Sequence, residues 1–272
     1  LFLFMGWIGQ GDAGLSTGKH TALVELDGVI SQNSPASADN LISSLQAAFK
    51  DKGTQGVILR INSPGGSPVQ SGLVNDEIRR LRAMHPAIPL YVVVEDMCAS
   101  GGYYIAAAAD KIYVNKASIV GSIGVLMDGF GFTGTMNKLG VERRLLTAGE
   151  NKGFMDPFSP RNPKHEAFTK SMLNEIHQQF VTVVKEGRGS RLKETPETFS
   201  GLFWSGQKSI ELGLADEMGS LNSVARDVIK AEKIVDFTTH EGLADRLAKR
   251  FGAGVASALP DFTSSLNGVT LR

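Results

Sequence analysis

The sequence predicts an α/β fold, and three observations predict it. From His20 onward, short apolar runs rich in β-branched residues alternate with longer amphipathic stretches. Two of these runs stop at small-residue turns, SPGGSP and CASGG, that open directly onto helix-like segments. The 272 residues, 42% hydrophobic and 21% charged, are also enough to bury a substantial core. Strands that alternate with helices pair in parallel through right-handed crossovers.

In chain order, TALVELDGVI reads as the first strand and 38–50 as an amphipathic helix. GVILRIN (56–62) is the second strand, followed by the SPGGSP turn and a helix from about Val69 to Met84. IPLYVVV (88–94) is the third strand, and 101–109 a helix. KIYVN, SIVGSIGV and VERRLLTA read as further short strands, with a helix over about 135–139 between the last two. After Pro163 the character changes to one long amphipathic helix, in which Phe168, Met172, Ile176, Phe180 and Val184 recur every four residues. GLFWSGQKSIELGLADEMGS supplies a short strand, a helix closed by Gly213, and a return. Residues 240–272, rich in Ala, Ser and Gly, read as a C-terminal helix or tail.

Composition excludes several classes of function. Lys+Arg and Asp+Glu both number 28, so no net field draws the chain to nucleic acid. The single cysteine, Cys98, forms no intramolecular disulfide and no metal cluster. The opening LFLFMGWIG is too short to span a bilayer, which takes roughly 20 residues. It reads as the last turns of a membrane anchor ending in the linker QGDAGLSTGKH, or else as a bare chain end or buried strand.

The chemistry concentrates at the two turns. In RINSPGGSP, Gly65 and Gly66 leave the backbone bare before a helix, where N–H groups can hold an oxyanion, or simply make a tight turn. In CASGGYY, Ser100 stands at a helix start between Ala99 and Gly101–Gly102, which suits an N-cap and a nucleophile equally. A nucleophilic serine needs a base. None of the five histidines (His20, His85, His165, His177, His240) sits in a turn with an acidic orienter. A serine–lysine dyad is the alternative, with a lysine whose pKa burial brings down from about 10.4 toward neutrality. Lys152, in TAGENKGFMDPFSP, fits that search best; Ser122, in IVGSIGV, is a candidate to orient it. Both also have plain readings, an exposed loop lysine and a strand-edge serine. GFGFTG matches G-x-G-x-x-G, but Phe130, Phe132 and the missing acidic strand end argue against a dinucleotide site.

Taken together, RINSPGGS, DMCASGGYYIA, VGSIGV, GENKGFMDPFSP and FWSGQKSIELGLADEMG resemble the signal peptide peptidase A family of bacterial serine–lysine peptidases, family S49, in its short single-copy form. The resemblance runs from about His20 to Val235. It implies a ClpP/crotonase-like α/β fold of repeated β-β-α units with C-terminal helical segments. It implies an anchor stub and linker at 1–18, a peptidase domain at 19–238 and a tail at 239–272. By the same resemblance Ser100 matches the nucleophile, Lys152 the general base, and Ser122 the serine that hydrogen-bonds that lysine. Gly66 matches an oxyanion-hole glycine, with Gly101 the expected second donor. The implied substrates are cleaved signal peptides and similar hydrophobic peptides, with no cofactor and no metal. The implied assembly is a ring of identical chains with serine and lysine shared between neighbours, on the extracytoplasmic side of the bacterial inner membrane. Two other functions share parts of the pattern: a crotonase-like enzyme acting on an acyl-CoA, and a non-catalytic membrane-associated scaffold.

Overall fold

A computed structural model describes residues 18–239. The expected anchor stub and C-terminal tail lie, but for Gly18 and Thr239, outside the described residues. Among the described residues, no helix is long and apolar enough to cross a membrane.

The elements run β1 (His20–Asp27), α1 (Ala38–Lys50), β2 (Thr54–Ser63), α2 (Pro68–Met84), β3 (Leu90–Ala99), α3 (Gly101–Ala106), β4 (Lys111–Val114) and β5 (Ile119–Gly121). Then follow α4 (Thr133–Leu139), α5 (Pro163–Arg188), β6 (Phe203–Ser205), α6 (Gly206–Glu211), β7 (Glu217–Met218) and β8 (Ile234–Asp236). One sheet holds the strands in the order β6-β5-β3-β2-β1-β8, with β4 between β3 and β7. All pairings are parallel except β5 with β6. The α/β architecture is as the sequence predicts.

Strand alternation sends successive side chains to opposite faces, and both faces are covered. Ala22, Val24, Leu26, Val57, Leu59, Ile61, Val92 and Val94 join the larger core with Leu41 and Leu45 of α1 and Val74 and Ile78 of α2. Leu23, Ile58, Val93 and Tyr113 meet Val224 and Ala225 on the other face. Each such fully buried aliphatic contributes roughly 1.5–3 kcal/mol. This double coverage explains why GVILRIN reads as a nearly unbroken apolar run. Serines cap the helices that follow the strands: Ser37 accepts from the Asn40 amide at α1, and Ser67 from the Gln70 amide at α2, with Pro68 in the first turn.

β3 is longer than its sequence pattern and changes partner along its length. Tyr91–Val93 pair with β4, whereas Met97–Ala99 pair with β5. At the far end of α5, the buried Arg188 grips Asp216 with two bonds of 2.8 and 2.9 Å and donates Nε–H to the Gly213 carbonyl at 2.8 Å. Burial pushes the Asp216 carboxyl up, but the Arg188 pair and the Ile112 amide outweigh it and hold it below its ordinary value.

Besides the longer β3, and α3 ending at Ala106 where the sequence reads a helix to 109, the structure departs from the sequence pattern in three places. VERRLLTA forms no strand: 141–148 is irregular and exposed, with no partner strand beside it among the described residues. β8, three residues from a charged stretch, has too little pattern to read and exists through its pairing with β1. The strand expected through SIVGSIGV stops at Gly121.

Candidate active site

The two turns singled out in the sequence lie against each other. Ser63, at the end of β2, pairs with Cys98 near the end of β3, so the SPGGSP and CASGG turns leave the sheet side by side. Ile30 bridges to Gly66, its amide donating to Gly65 O at 2.9 Å while Ser67 N donates to Ile30 O at 2.8 Å. A Cβ on Gly66 (φ +151°) would collide with the Ile30 carbonyl oxygen. One on Gly65 (φ +101°) would lie 2.7 Å from both Gly101 N and Ser100 Cβ. Only glycine fits this close approach of two backbones.

Ser100 occupies the N-cap position of α3, yet its side chain makes no capping bond. Its backbone stands at φ +50°, ψ −122°, a conformation rare for a residue with a Cβ. The main chain holds it there: Ser100 N donates to Gly121 O at 2.8 Å, and Ser100 O accepts from Tyr104 N at 2.9 Å. Ser122 is the neighbouring strained serine, at φ +53°, with its amide donating to Leu202 O at 2.8 Å. The strand ends before Ser122 because the chain turns there.

Both serines line one cavity of about 500 Å³. Gly66 and Gly101 line it as well, and a Cβ on Gly101 would lie 3.2 Å from Gly66 N, so the two peptide units are adjacent. Tyr104 of α3 and Ile176, Gln179 and Phe180 of α5 line it too. The sequence reading placed Ile176 and Phe180 on an apolar helix stripe; only the folded chain shows that this stripe also walls the cavity. The sole cysteine is no competing nucleophile, since Cys98 is fully buried and burial pushes its thiol up, keeping it protonated.

Lys152 stands apart. It is exposed in a turn, its amide donating to Gly149 O at 3.1 Å, and it does not line the cavity. Among the described residues no hydrogen bond joins it to Ser100 or Ser122. Its segment, 125–162, packs partly on itself through the Phe132–Phe158 stack at 5.4 Å. It reaches α5 through Phe154, whose ring lies 4.6 Å from that of His165 and 5.7 Å from that of Phe168. Much of it is bare: Leu126, Phe130 and Leu146 are 80%, 81% and 96% exposed. Gly129 and Gly131 of the G-x-G-x-x-G match lie in this arm with no strand immediately before them, and a Cβ added at either would meet nothing within 4 Å. The structure thus brings Ser100, Ser122, Gly66 and Gly101 together and leaves Lys152 outside.

Fold and cavity define an α/β protein whose pocket is built on a strained serine at the carboxyl end of a parallel sheet. A sequence model described as peptidase family S49 matches residues 82–235. The Na(+)/H(+) antiporter NhaA of Brucella melitensis is 48% identical over 182 residues, covering 67% of this chain and 25% of that protein. A Methanocaldococcus jannaschii protein assigned as a protease is 33% identical over 230 residues, covering 81% of this chain and 72% of its own length. Protease 4 of Haemophilus influenzae is 31% identical over 219 residues, or 79% of this chain and 35% of that one. The chain spans a quarter of the length of the Brucella protein. It belongs to peptidase family S49, the family that its motifs resemble.

Proposed function

We propose that the chain is a serine endopeptidase in which Ser100 is the nucleophile and Lys152 the general base. The observation that carries this reading is the strained Ser100, uncommitted as a cap although it stands at a cap position, on the cavity wall. The Lys152 amine takes the Ser100 hydroxyl proton as Oγ bonds to the substrate carbonyl carbon. The carbonyl π pair moves to oxygen, which the Gly66 and Gly101 N–H groups receive. Collapse expels the amine, which leaves with the proton from Lys152, and water then releases the acyl group. Ser122 orients the lysine by hydrogen bonding.

The dyad forms between chains. Lys152 lies outside its own chain's cavity, on an arm whose exposed Phe130 and Leu146 offer an apolar surface to a partner, which supports a ring of identical subunits. The apolar wall of Tyr104, Ile176 and Phe180 favours hydrophobic peptides, which supports cleaved signal peptides as substrates. Such substrates would be met at the inner membrane of a bacterial cell, with the catalytic domain facing the extracytoplasmic side.

A phosphonofluoridate probe and variant mixing test this reading. The probe should label Ser100 in the wild type, and both S100A and K152A should lose at least about 10⁴-fold in peptide hydrolysis. Mixed at equal amounts and reassembled, the two inactive variants should recover about a quarter of wild-type activity, because a quarter of sites join an intact serine to an intact neighbour's lysine. Absence of labelling points to the acyl-CoA or scaffold reading. Labelling without recovery on mixing places the base within one chain.

A further inference from the structure

We propose that His177 is a positioning residue for this site: its imidazole pins the strained turn that carries Ser122 and receives the Ser100 amide. His177 Nε2 lies 3.2 Å from the Ile123 carbonyl oxygen, 54 residues away in the chain. A carbonyl oxygen only accepts, so Nε2 carries the hydrogen, and in the neutral ring Nδ1 keeps the lone pair. The role rests on the serine-peptidase reading above.

The turn at 121–124 bends through two left-handed residues in succession, Gly121 (φ +115°) and Ser122 (φ +53°). Its other bonds are all main-chain: Ser100 N to Gly121 O, Ser122 N to Leu202 O, and Gly124 N to Ser122 O. His177 supplies the one side-chain bond found there among the described residues. A left-handed serine persists only where its surroundings over-determine it. A pin from a long helix whose neighbouring Phe180 is buried in the core is well placed to do that. The effect passes along a short path, from Ile123 to Ser122, to Gly121, and through the 2.8 Å bond to Ser100. Ile176, Gln179 and Phe180, beside His177 on α5, line the same cavity. The imidazole therefore ties α5, which lines the pocket, to the turn that carries Ser122, through the Ile123 carbonyl.

H177L and H177Q separate this role from simple packing. Leucine fills the space without a donor; the glutamine amide reaches about as far as Nε2 and can donate. In the assembled full chain, H177L should slow both kcat and Ser100 acylation by the phosphonofluoridate about tenfold, the loss of one hydrogen bond's worth of positioning, with KM unchanged. H177Q should recover most of that rate, and the two variants should melt together. Wild-type rates in H177L, or equal slowing in both variants, would overturn the role. If the wild type is not labelled at Ser100, the peptidase reading fails instead, and amide exchange then decides whether the pin exists. Faster exchange at Ser122 and Gly124 in H177L alone supports it; equal protection in all three proteins overturns it.

Discussion

Ser67 and Ser100 hold the same position in two successive strand–turn–helix junctions, each as the N-cap residue of the helix that follows. At the first, the chain is extended (φ −60°, ψ 122°) and the hydroxyl accepts a bond from the Gln70 amide. At the second, the chain is left-handed at φ +50° and the hydroxyl caps nothing. The first junction uses its serine to stabilise the helix. The second leaves its serine strained and lines a cavity with it. A serine at a helix start becomes a candidate nucleophile when the structure declines the cap it was offered.

Three substitutions break or sharpen that contrast. The largest effect is expected from G66A, which forces a Cβ against the Ile30 carbonyl in the first junction, with main chain on both sides. It should cost more than about 3 kcal/mol and lower expression and activity together; a melting curve like the wild type's would show that the turn can yield. S67A removes a working cap and should cost about 1 kcal/mol, a fall of roughly 2–4 °C in Tm, with kcat retained. A large loss of kcat with unchanged Tm would assign Ser67 to the chemistry instead. The smallest effect distinguishes two inactive proteins. Because alanine at φ +50° keeps a Cβ in a left-handed position, S100G should be more stable than S100A by about 1 kcal/mol. At ordinary positions glycine is the less stable of the two, so the usual sign would mean that the strain at Ser100 is not real.

The same contrast shows how much was legible in the sequence. The helix 38–50 has its observed bounds in its apolar spacing and its serine cap, and β2 and α2 are displaced by two residues or fewer. Gly66, Gly101 and Ser100 could be picked out because short-range chemistry marks them, glycine where backbones approach and serine at a helix start, whereas Ser122 read as a strand serine and stands instead in the turn that ends the strand. The cap bond that Ser100 does not make goes with a backbone of φ +50°, ψ −122° where Ser67 has φ −60°, ψ 122°, a difference invisible in residue types. The α5 wall was readable as an apolar stripe but not as a cavity wall, since a core face and a pocket face share one periodicity. VERRLLTA carried a strand-like pattern that found no partner. The place of Lys152 in space lies beyond local pattern altogether, because the arm that carries it packs on itself and on α5.

The divided pairing of β3 has a consequence for how the family can vary. Ser100 follows a strand fixed by β2 on one side and, on the other, by β4 near its start and β5 near its end. Its address is therefore triangulated by three registers, and a slip of one residue would have to violate all of them at once. None of the three involves the 125–162 arm. That arm can therefore drift or lengthen, and under the ring assembly proposed above meet its neighbour differently, while the Ser100 hydroxyl keeps its place.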